Sequence, residues 1–359
     1  MGETIPRRFG WSLAVLMLAA GLAPAADVDP AAPSTVTIHE RGIRLDAALR
    51  ALSEQTGNAV VDLRERQGAE ATNPAIDLDL EAVPFLRALD EIAAKAGVAV
   101  TPSTGERALG IVPGGGAGPP VEYSGPFRVS INRIFLQRDF EADATTARIT
   151  LAVGWEPRLR PMLLTFKAGG VEATDDRGRA VRPQVPTESG GVGLYPDFPS
   201  TEVELNLAAP ERSAARLATL RFRAEVILPT DIQTFEFARL DQDTTIRQGR
   251  LSATLRGARF DEGTWTLPII VDYPRGAPEL ESFRQGLFHD WIRLVKADGT
   301  EAGRNMGFAM PEEVDGRRGF EYLFTDVPGD PKDYRLIYEA PGAIVAVPID
   351  VTFKDVALP

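Results

Sequence analysis

A segment that is written twice, forty positions apart, constrains the fold of this chain more than any other feature. The first copy, LDAALRALSEQTGNAVV, covers residues 45–61, and the second, FLRALDEIAAKAGVAV, covers residues 85–100. In both copies apolar residues recur at helical spacing, and a glycine follows where a helix C-cap favours a left-handed residue. Each copy therefore predicts a helix that ends at Gly57 or Gly97 and runs into a strand.

The residues before each copy predict a preceding strand. TVTIHE at 35–40 and AIDLDLEAV at 75–83 alternate apolar and polar side chains, as half-buried strands do. Pro84 suits the first turn of the second helix, and ALGIV at 108–112 predicts a closing strand. Because neither half can bury its apolar face alone, we expect a β-α-β-β-α-β module over residues 34–113, with both helices on one face of a small sheet.

This pattern resembles the short N-terminal domain that secretins and TonB-dependent receptors share (the STN domain). The resemblance rests on the runs GIRLDAALRALSEQTG and LDLEAVPFLRALDEIAAKAG, and it covers residues 34–113, less than a quarter of the chain. It implies an envelope module that binds proteins: in receptors the domain faces the periplasm and passes a signal, and in secretins it contacts neighbouring components. The sequence departs from both families in lacking the barrel or secretin domain that follows.

The first 26 residues have the three parts of a secretory signal. These are Arg7 and Arg8, the apolar run WSLAVLMLAAGL, and the small residues APAA. We expect cleavage after Ala25 or Ala26 and a location in the periplasm or cell envelope, with a twin-arginine signal as the alternative. The apolar run is shorter than the roughly 20 residues of a spanning helix, so we predict no membrane span after cleavage. The chain has no cysteine, so each domain needs its own hydrophobic core.

Residues 114–359 have a different sequence pattern. The stretch PGGGAGPP marks a boundary, and we take residues 114–121 as a linker. Short alternating runs follow, and RVSINRI at 128–134 resembles RLSATLR at 250–256. These features predict two tandem antiparallel β-sandwich domains of the immunoglobulin-like kind, over residues 122–247 and 248–359. The fold class that we expect for the whole chain is α+β.

Composition and motifs disfavour several function classes. The formal net charge of -12 argues against nucleic acid as a partner, which needs clustered Lys and Arg. His39 and His289 lie in different predicted domains without a second His or Cys at ligand spacing, so no metal site of the usual zinc kind is expected. We interpret His39 as a solvated residue at a strand end. No nucleophile elbow, P-loop or dinucleotide motif occurs, so we predict no catalytic residue, no cofactor and no enzyme activity.

The segment GWEPRLRP, residues 154–161, is the candidate for partner binding. Trp155, Arg158 and Arg160 lie on a proline-stiffened stretch, which suits docking of an extended partner through stacking and charge-assisted hydrogen bonds. The alternative is that Trp155 is a core residue at the end of an apolar strand. Both arginines would then be ordinary charges at a strand end.

Two functions remain open at this point. The first is a non-enzymatic exported envelope protein that mediates protein–protein interaction, with an envelope or periplasmic protein as its partner. The alternative is a secreted carbohydrate- or cell-wall-binding protein, including a carboxylate-based glycosidase, since 51 acidic residues leave a catalytic pair open. A deep, acid-lined cleft would favour the second function, and flat surfaces would favour the first.

Overall fold

The structure is a computed structural model, and part of the chain lies outside the residues that it describes. The predicted signal peptide, residues 1–26, lies outside them, as do His289 and part of the predicted linker. The described residues are 29, 31–68, 71–102, 104–114, 118–141, 143–166, 168–184, 190–194, 198–261, 263–274, 291–314 and 316–359.

The N-terminal module is a doubled strand-helix unit with extra strands. Its elements are, in order, β1 (Thr35–Arg44), α1 (Leu45–Thr56), β2 (Val60–Asp62), β3 (Ala75–Pro84), α2 (Phe85–Ala96), β4 (Val98–Thr101) and β5 (Leu109–Pro113). β1 pairs antiparallel with β3 as a two-stranded sheet, and β2, β5 and β4 form a separate sheet in that order. One hydrophobic core joins both sheets and both helices, and it includes Leu52, Leu80, Ile92 and Ile111.

The two copies in this module are related by a pseudo-two-fold axis. A shift of forty positions maps β1 onto β3 and α1 onto α2. The same shift maps the pairing of β1 with β3 onto itself, and His39 faces Asp79, its own counterpart. The axis therefore passes between these two residues. Both helices end on a left-handed glycine, Gly57 and Gly97, which confirms the helix ends predicted from the sequence.

From residue 121 onward, the regular elements of the described residues are strands and short 3-10 turns. The strands are β6 (Val121–Ser124), β7 (Phe127–Asp139), β8 (Ala144–Trp155), β9 (Leu163–Phe166), β10 (Val171–Asp175), β11 (Ala180–Val181), β12 (Gly190–Gly193), β13 (Ser200–Ala208), β14 (Arg216–Phe237), β15 (Thr244–Gln248), β16 (Leu251–Leu255), β17 (Arg259–Asp261), β18 (Thr264–Asp272), β19 (Trp291–Lys296), β20 (Glu301–Ala302), β21 (Arg304–Val314), β22 (Arg317–Thr325) and β23 (Tyr334–Ala357).

These strands form three sheets around two cores. One sheet has the order β13-β8-β7-β6, and another has the order β15-β16-β18-β22-β21, with β17 beside β18. The largest sheet has the order β11-β10-β14-β23-β19-β20, with β9 and β12 joined to it at β14. The first core lies around Phe222 and Phe353, between the β13-β8-β7-β6 sheet and one half of the largest sheet. The second core lies around Phe320 and Tyr338, at the other half of the largest sheet.

A long antiparallel ribbon, β14 paired with β23, runs through both cores. Its pairing extends from Arg216 opposite Ala357 to Phe237 opposite Leu336, with an irregularity around Asp231. Val347 to Val356 on β23 complete the first core together with β14. The predicted range 248–359 therefore contributes residues to both cores, and the domain ranges stay a prediction.

The expected fold class, α+β, is wrong, because the chain is mainly β. Strands account for 62% and helices for 11%, and the described residues contain two α-helices of 12 residues each. The β-α-β-β-α-β module with one sheet is also wrong. β1 and β3 pair with each other across the pseudo-two-fold axis, which leaves β2, β4 and β5 to form a second sheet. The two expected tandem sandwiches are not built separately, since they share the β14–β23 ribbon.

Candidate functional site

The segment proposed for partner binding begins inside the first core. Trp155 is the last residue of β8 and is 0% exposed. It belongs to the first core, which confirms the alternative interpretation of this residue as a core tryptophan. Period-two alternation along β8 explains its burial, since Ile149, Leu151 and Val153 point the same way.

The residues after Trp155 fasten the N-terminal module to the β-sheets. Glu156 is 1% exposed, and its carboxylate accepts hydrogen bonds from the Ser34 backbone N–H at 2.9 Å and from the Ser34 hydroxyl at 2.8 Å. Arg158 Nε donates to the same carboxylate at 2.5 Å, and Arg158 also donates to the Ala32 carbonyl at 2.7 Å. Asn58 Oδ1 accepts from the Arg158 backbone N–H at 2.9 Å. The buried carboxylate is thus paired and hydrogen-bonded, as a buried charge requires.

Arg160 contacts two strands of the largest sheet, β23 and β19. Its guanidinium donates to Glu339 of β23 at 2.9 Å and lies over the ring of Trp291 at 4.4 Å from the centroid. Met162, two residues later, is part of the second core. The segment from Trp155 to Met162 is therefore a junction that contacts the module and both cores. Arg158 and Arg160 are engaged in intramolecular ion pairs there, and their role in partner binding stays a prediction.

A cleft of about 680 Å³ lies between the module and the β13-β8-β7-β6 sheet. Helix α2 and strand β4 of the module form one wall, and the outward face of the sheet forms the floor. Residues that line it include Leu86, Ala93, Val98, Ala99, Val100, Tyr123, Ser130, Ala152, Gly154 and Ser200. The cleft is largely apolar, and hydroxyl groups lie on its floor.

Asp90, Tyr123 and Arg128 form the charged group of this cleft. Arg128 Nε donates to the Asp90 carboxylate at 2.7 Å, and the Tyr123 hydroxyl donates to the same carboxylate oxygen. Burial raises the pKa of the Tyr123 hydroxyl, and the hydrogen bond to Asp90 raises it further, so Tyr123 stays protonated. Arg87 lies over the Tyr123 ring at 4.6 Å from its centroid. Asp90 supplies the carboxylate of the described lining, and it is already paired.

Small side chains form one part of the floor of the cleft, beside Arg128 and Asn132. Ala152 and Gly154 point outward from β8, on the face opposite to Val153 and Trp155. Gly154 is paired with Ser200 of β13, whose small side chain also lines the cleft. A flat floor of this kind lets a ligand or another backbone come close to the sheet.

Sequence reasoning missed the charged group of the cleft and misplaced His39. Asp90, Tyr123 and Arg128 come from α2, β6 and β7, and their meeting depends on how the module docks. His39 lies in the middle of β1, not at a strand end, and its ring nitrogens face Asp79 at 2.6 Å and Glu81 at 2.8 Å. The equivalence of positions 39 and 79 in the repeat was the available signal for that pairing.

Among the described residues there is neither a cluster of potential metal ligands nor a helix that could cross a membrane. No three His, Cys, Asp or Glu side chains in the described part of the chain come together in a way that could hold a metal ion. No helix within the same residues is both long enough and apolar enough to cross a membrane.

Comparisons with known proteins identify no relative. No family model matches the chain, and no curated protein matches it. Among solved structures, the crystal structure of the conserved domain protein from Bacillus anthracis is similar over 65% of this chain and 89% of that chain. The identity is 10% and the TM-score is 0.19, so this likeness supports no statement on fold or function.

Proposed function

We propose that this chain is a non-enzymatic exported envelope protein that binds another envelope or periplasmic protein through its N-terminal module. The observation that carries the proposal is the pairing of the module's sheets. β1 and β3, and likewise β2 and β4, each have one edge without a partner strand in the described residues. Unpaired strand edges are the surfaces to which partner proteins add a strand.

The attachment of the module supports the same function. The buried Glu156 carboxylate ties Ser34 and Arg158 together, so the module is presented on the β-sheets in a fixed orientation. A module held in this way loses little conformational freedom when a partner binds, which favours affinity. The apolar and small residues of the predicted signal peptide, residues 1–26, together with the STN resemblance, support export and a place in the periplasm or cell envelope.

The chemistry of the cleft also favours binding over hydrolysis of glycosides. A glycosidase needs two carboxyl groups, about 5–10 Å apart, on either side of the bond that breaks. The described lining of the cleft contains Asp90, which Arg128 and Tyr123 already hold. The arrangement suits a surface that packs against a partner.

The test is affinity capture from the envelope fraction of the source cell, with the whole exported chain as bait. We expect a discrete set of envelope proteins to be recovered with the native chain and lost with Leu89→Asp, which places a carboxylate at a residue that is 1% exposed in the module core. Recovery of the same proteins with both baits would contradict the proposal.

A second groove gives the carbohydrate-binding alternative a specific place. It has a volume of about 730 Å³ and is lined by Phe166, Gly170, Arg223, Pro348 and Asp350. An aromatic ring beside charged side chains is a common way to bind a small polar ligand. Binding of the whole chain to a glycan array that is abolished by Phe166→Ala would favour this alternative over protein binding.

A further inference from the structure

Side chains of the two helices close both outer edges of the β1–β3 sheet. The Gln55 amide accepts from the Thr37 backbone N–H at 3.0 Å and donates to the Thr37 carbonyl at 3.1 Å. Forty positions later, Lys95 Nζ donates to the Asp77 carbonyl at 2.8 Å. Equivalent residues of the two copies thus occupy equivalent points on the two edges. A partner strand would have to displace them to pair there.

The two outer edges of the other sheet differ from each other in charge. β2 ends in Asp62, which forms an ion pair with Arg64 at 2.6 Å, and charged residues protect strand edges from pairing. β4 carries no charge along Val98, Ala99 and Val100. β4 pairs with β5 on one side and has no partner strand on its outer side among the described residues. β4 is therefore the edge of the module that is open to strand addition.

The floor opposite this edge has a glycine that the protein's own structure does not require. Gly154 is the last residue but one of β8, it is paired with Ser200 of β13, and it has no left-handed φ. A Cβ added there would meet the Pro199 carbonyl oxygen at 3.5 Å and the Arg128 carbonyl oxygen at 3.7 Å, which are ordinary contacts. Glycine within a strand lowers stability by roughly 0.5–1 kcal/mol relative to alanine. Gly154 thus lowers the stability of the strand, although the neighbouring atoms leave room for a Cβ. Glycine at such a position often marks a site where another backbone comes close to the strand.

The charge of the cleft selects against a charged occupant. The Asp90 carboxylate is matched by the Arg128 guanidinium at 2.7 Å, and both side chains are 24% exposed. A charged ligand would have to separate this pair or be desolvated beside apolar residues such as Val98 and Leu86. An uncharged ligand meets neither penalty.

We propose that β4 binds an extended, uncharged segment of a partner protein, which adds a strand along Val98–Val100 and lies over Gly154. Main-chain hydrogen bonds to the β4 edge supply affinity, and the small side chains of the floor let the added backbone come close. The inference rests on the proposed function, and it names the chemistry of the partner segment.

The test selects random eight-residue peptides from a display library against the whole chain. The selected peptides are expected to be uncharged, with β-branched residues at alternate positions. For one selected peptide, Gly154→Val weakens binding at least about tenfold, which corresponds to about 1.4 kcal/mol, because the valine occupies the space of the added backbone. Bound peptide also slows amide hydrogen exchange in β4.

The matched control is Asn206→Leu, on an exposed position of β13 in the same sheet. It should leave peptide affinity unchanged, and neither variant should have a melting temperature below the native value, since a β-branched residue suits a strand better than glycine does and position 206 is exposed. Charged selected peptides, no selected peptides, or equal binding by Gly154→Val and the native chain would overturn the inference. If Gly154→Val still captures the envelope partners that Leu89→Asp loses, strand addition at β4 is wrong while the proposed function stands.

Discussion

At the scale of single residues, comparison of the two copies of the repeat shows backbone strain at Ala82. Ala82 has a φ of 49° and its counterpart forty positions earlier, Gly42, has a φ of 68°; both lie at irregularities of the β1–β3 pairing. The left-handed region costs a residue with a Cβ roughly 1–2 kcal/mol and costs glycine none of it. We expect Ala82→Gly to raise the free energy of unfolding by about 0.5–1 kcal/mol in urea denaturation, after the larger entropy of unfolded glycine is counted.

Gly42→Ala is the matched change, and it should lower the free energy of unfolding by a similar amount. An added Cβ at this position meets no atom within 4 Å, so the effect isolates the backbone conformation. A stabilising Gly42→Ala, or a destabilising Ala82→Gly, would show that the two positions are not conformationally equivalent.

The contribution of His39 to the stability of the fold depends on pH. Both of its ring nitrogens face carboxylate oxygens, which only the doubly protonated ring can satisfy. Hydrogen bonds to Glu81 and then Asp79 raise the pKa of His39 above 6.5. Protonated His39 therefore stabilises the fold below pH 6.5, and this contribution is lost as the pH rises through the folded-state pKa. An NMR titration should show a pKa above 6.5 that falls more in Glu81→Gln than in Asp79→Asn.

At the scale of secondary-structure elements, the sequence pattern predicted the features that depend on contacts between residues close in the chain. Leu49, Leu52 and the terminal Gly57 specify a helix through contacts within a few residues, and the structure has that helix. Strand pairing is not local: Arg216 lies opposite Ala357, and no pattern near either residue indicates the other. The class and the number of sheets were therefore mispredicted. The charged group of the cleft was missed for the same reason, because Asp90, Tyr123 and Arg128 meet only after the module docks.

Leu89→Asp tests whether the helices and small sheets of the module form one cooperative unit. Leu89 is 1% exposed in the core that joins them, and an unpaired buried carboxylate costs at least about 3 kcal/mol. We expect loss of the helical signal in far-UV circular dichroism with retention of the strand signal, since the described helices lie in the module. Arg50→Asp, on the exposed face of α1, is the control and should keep both signals. Loss of both signals in Leu89→Asp would contradict the expectation.

At the scale of the whole molecule, Glu156 fixes the module on the sheets. Removing one partner of a buried ion pair costs about 3–5 kcal/mol, whereas an exposed pair is worth at most about 1 kcal/mol. We expect Glu156→Ala to lower the free energy of unfolding by the larger amount, measured by urea denaturation. Glu202→Ala is the control, because Glu202 and Arg133 form a pair at 2.6 Å with about half of each side chain exposed. Equal effects of the two changes would show that Glu156 is not a fastening point.

The most direct test of the central claim, that this chain binds an envelope protein through its module, is site-specific photo-cross-linking in the living source cell. The cross-linker replaces Ala99 on β4 in the whole chain, and in a second strain it replaces Asn206 on β13. We expect a discrete adduct with another envelope protein from position 99, absent from position 206 and absent when Leu89→Asp is added. No adduct from position 99, or the same adducts from both positions, would contradict it.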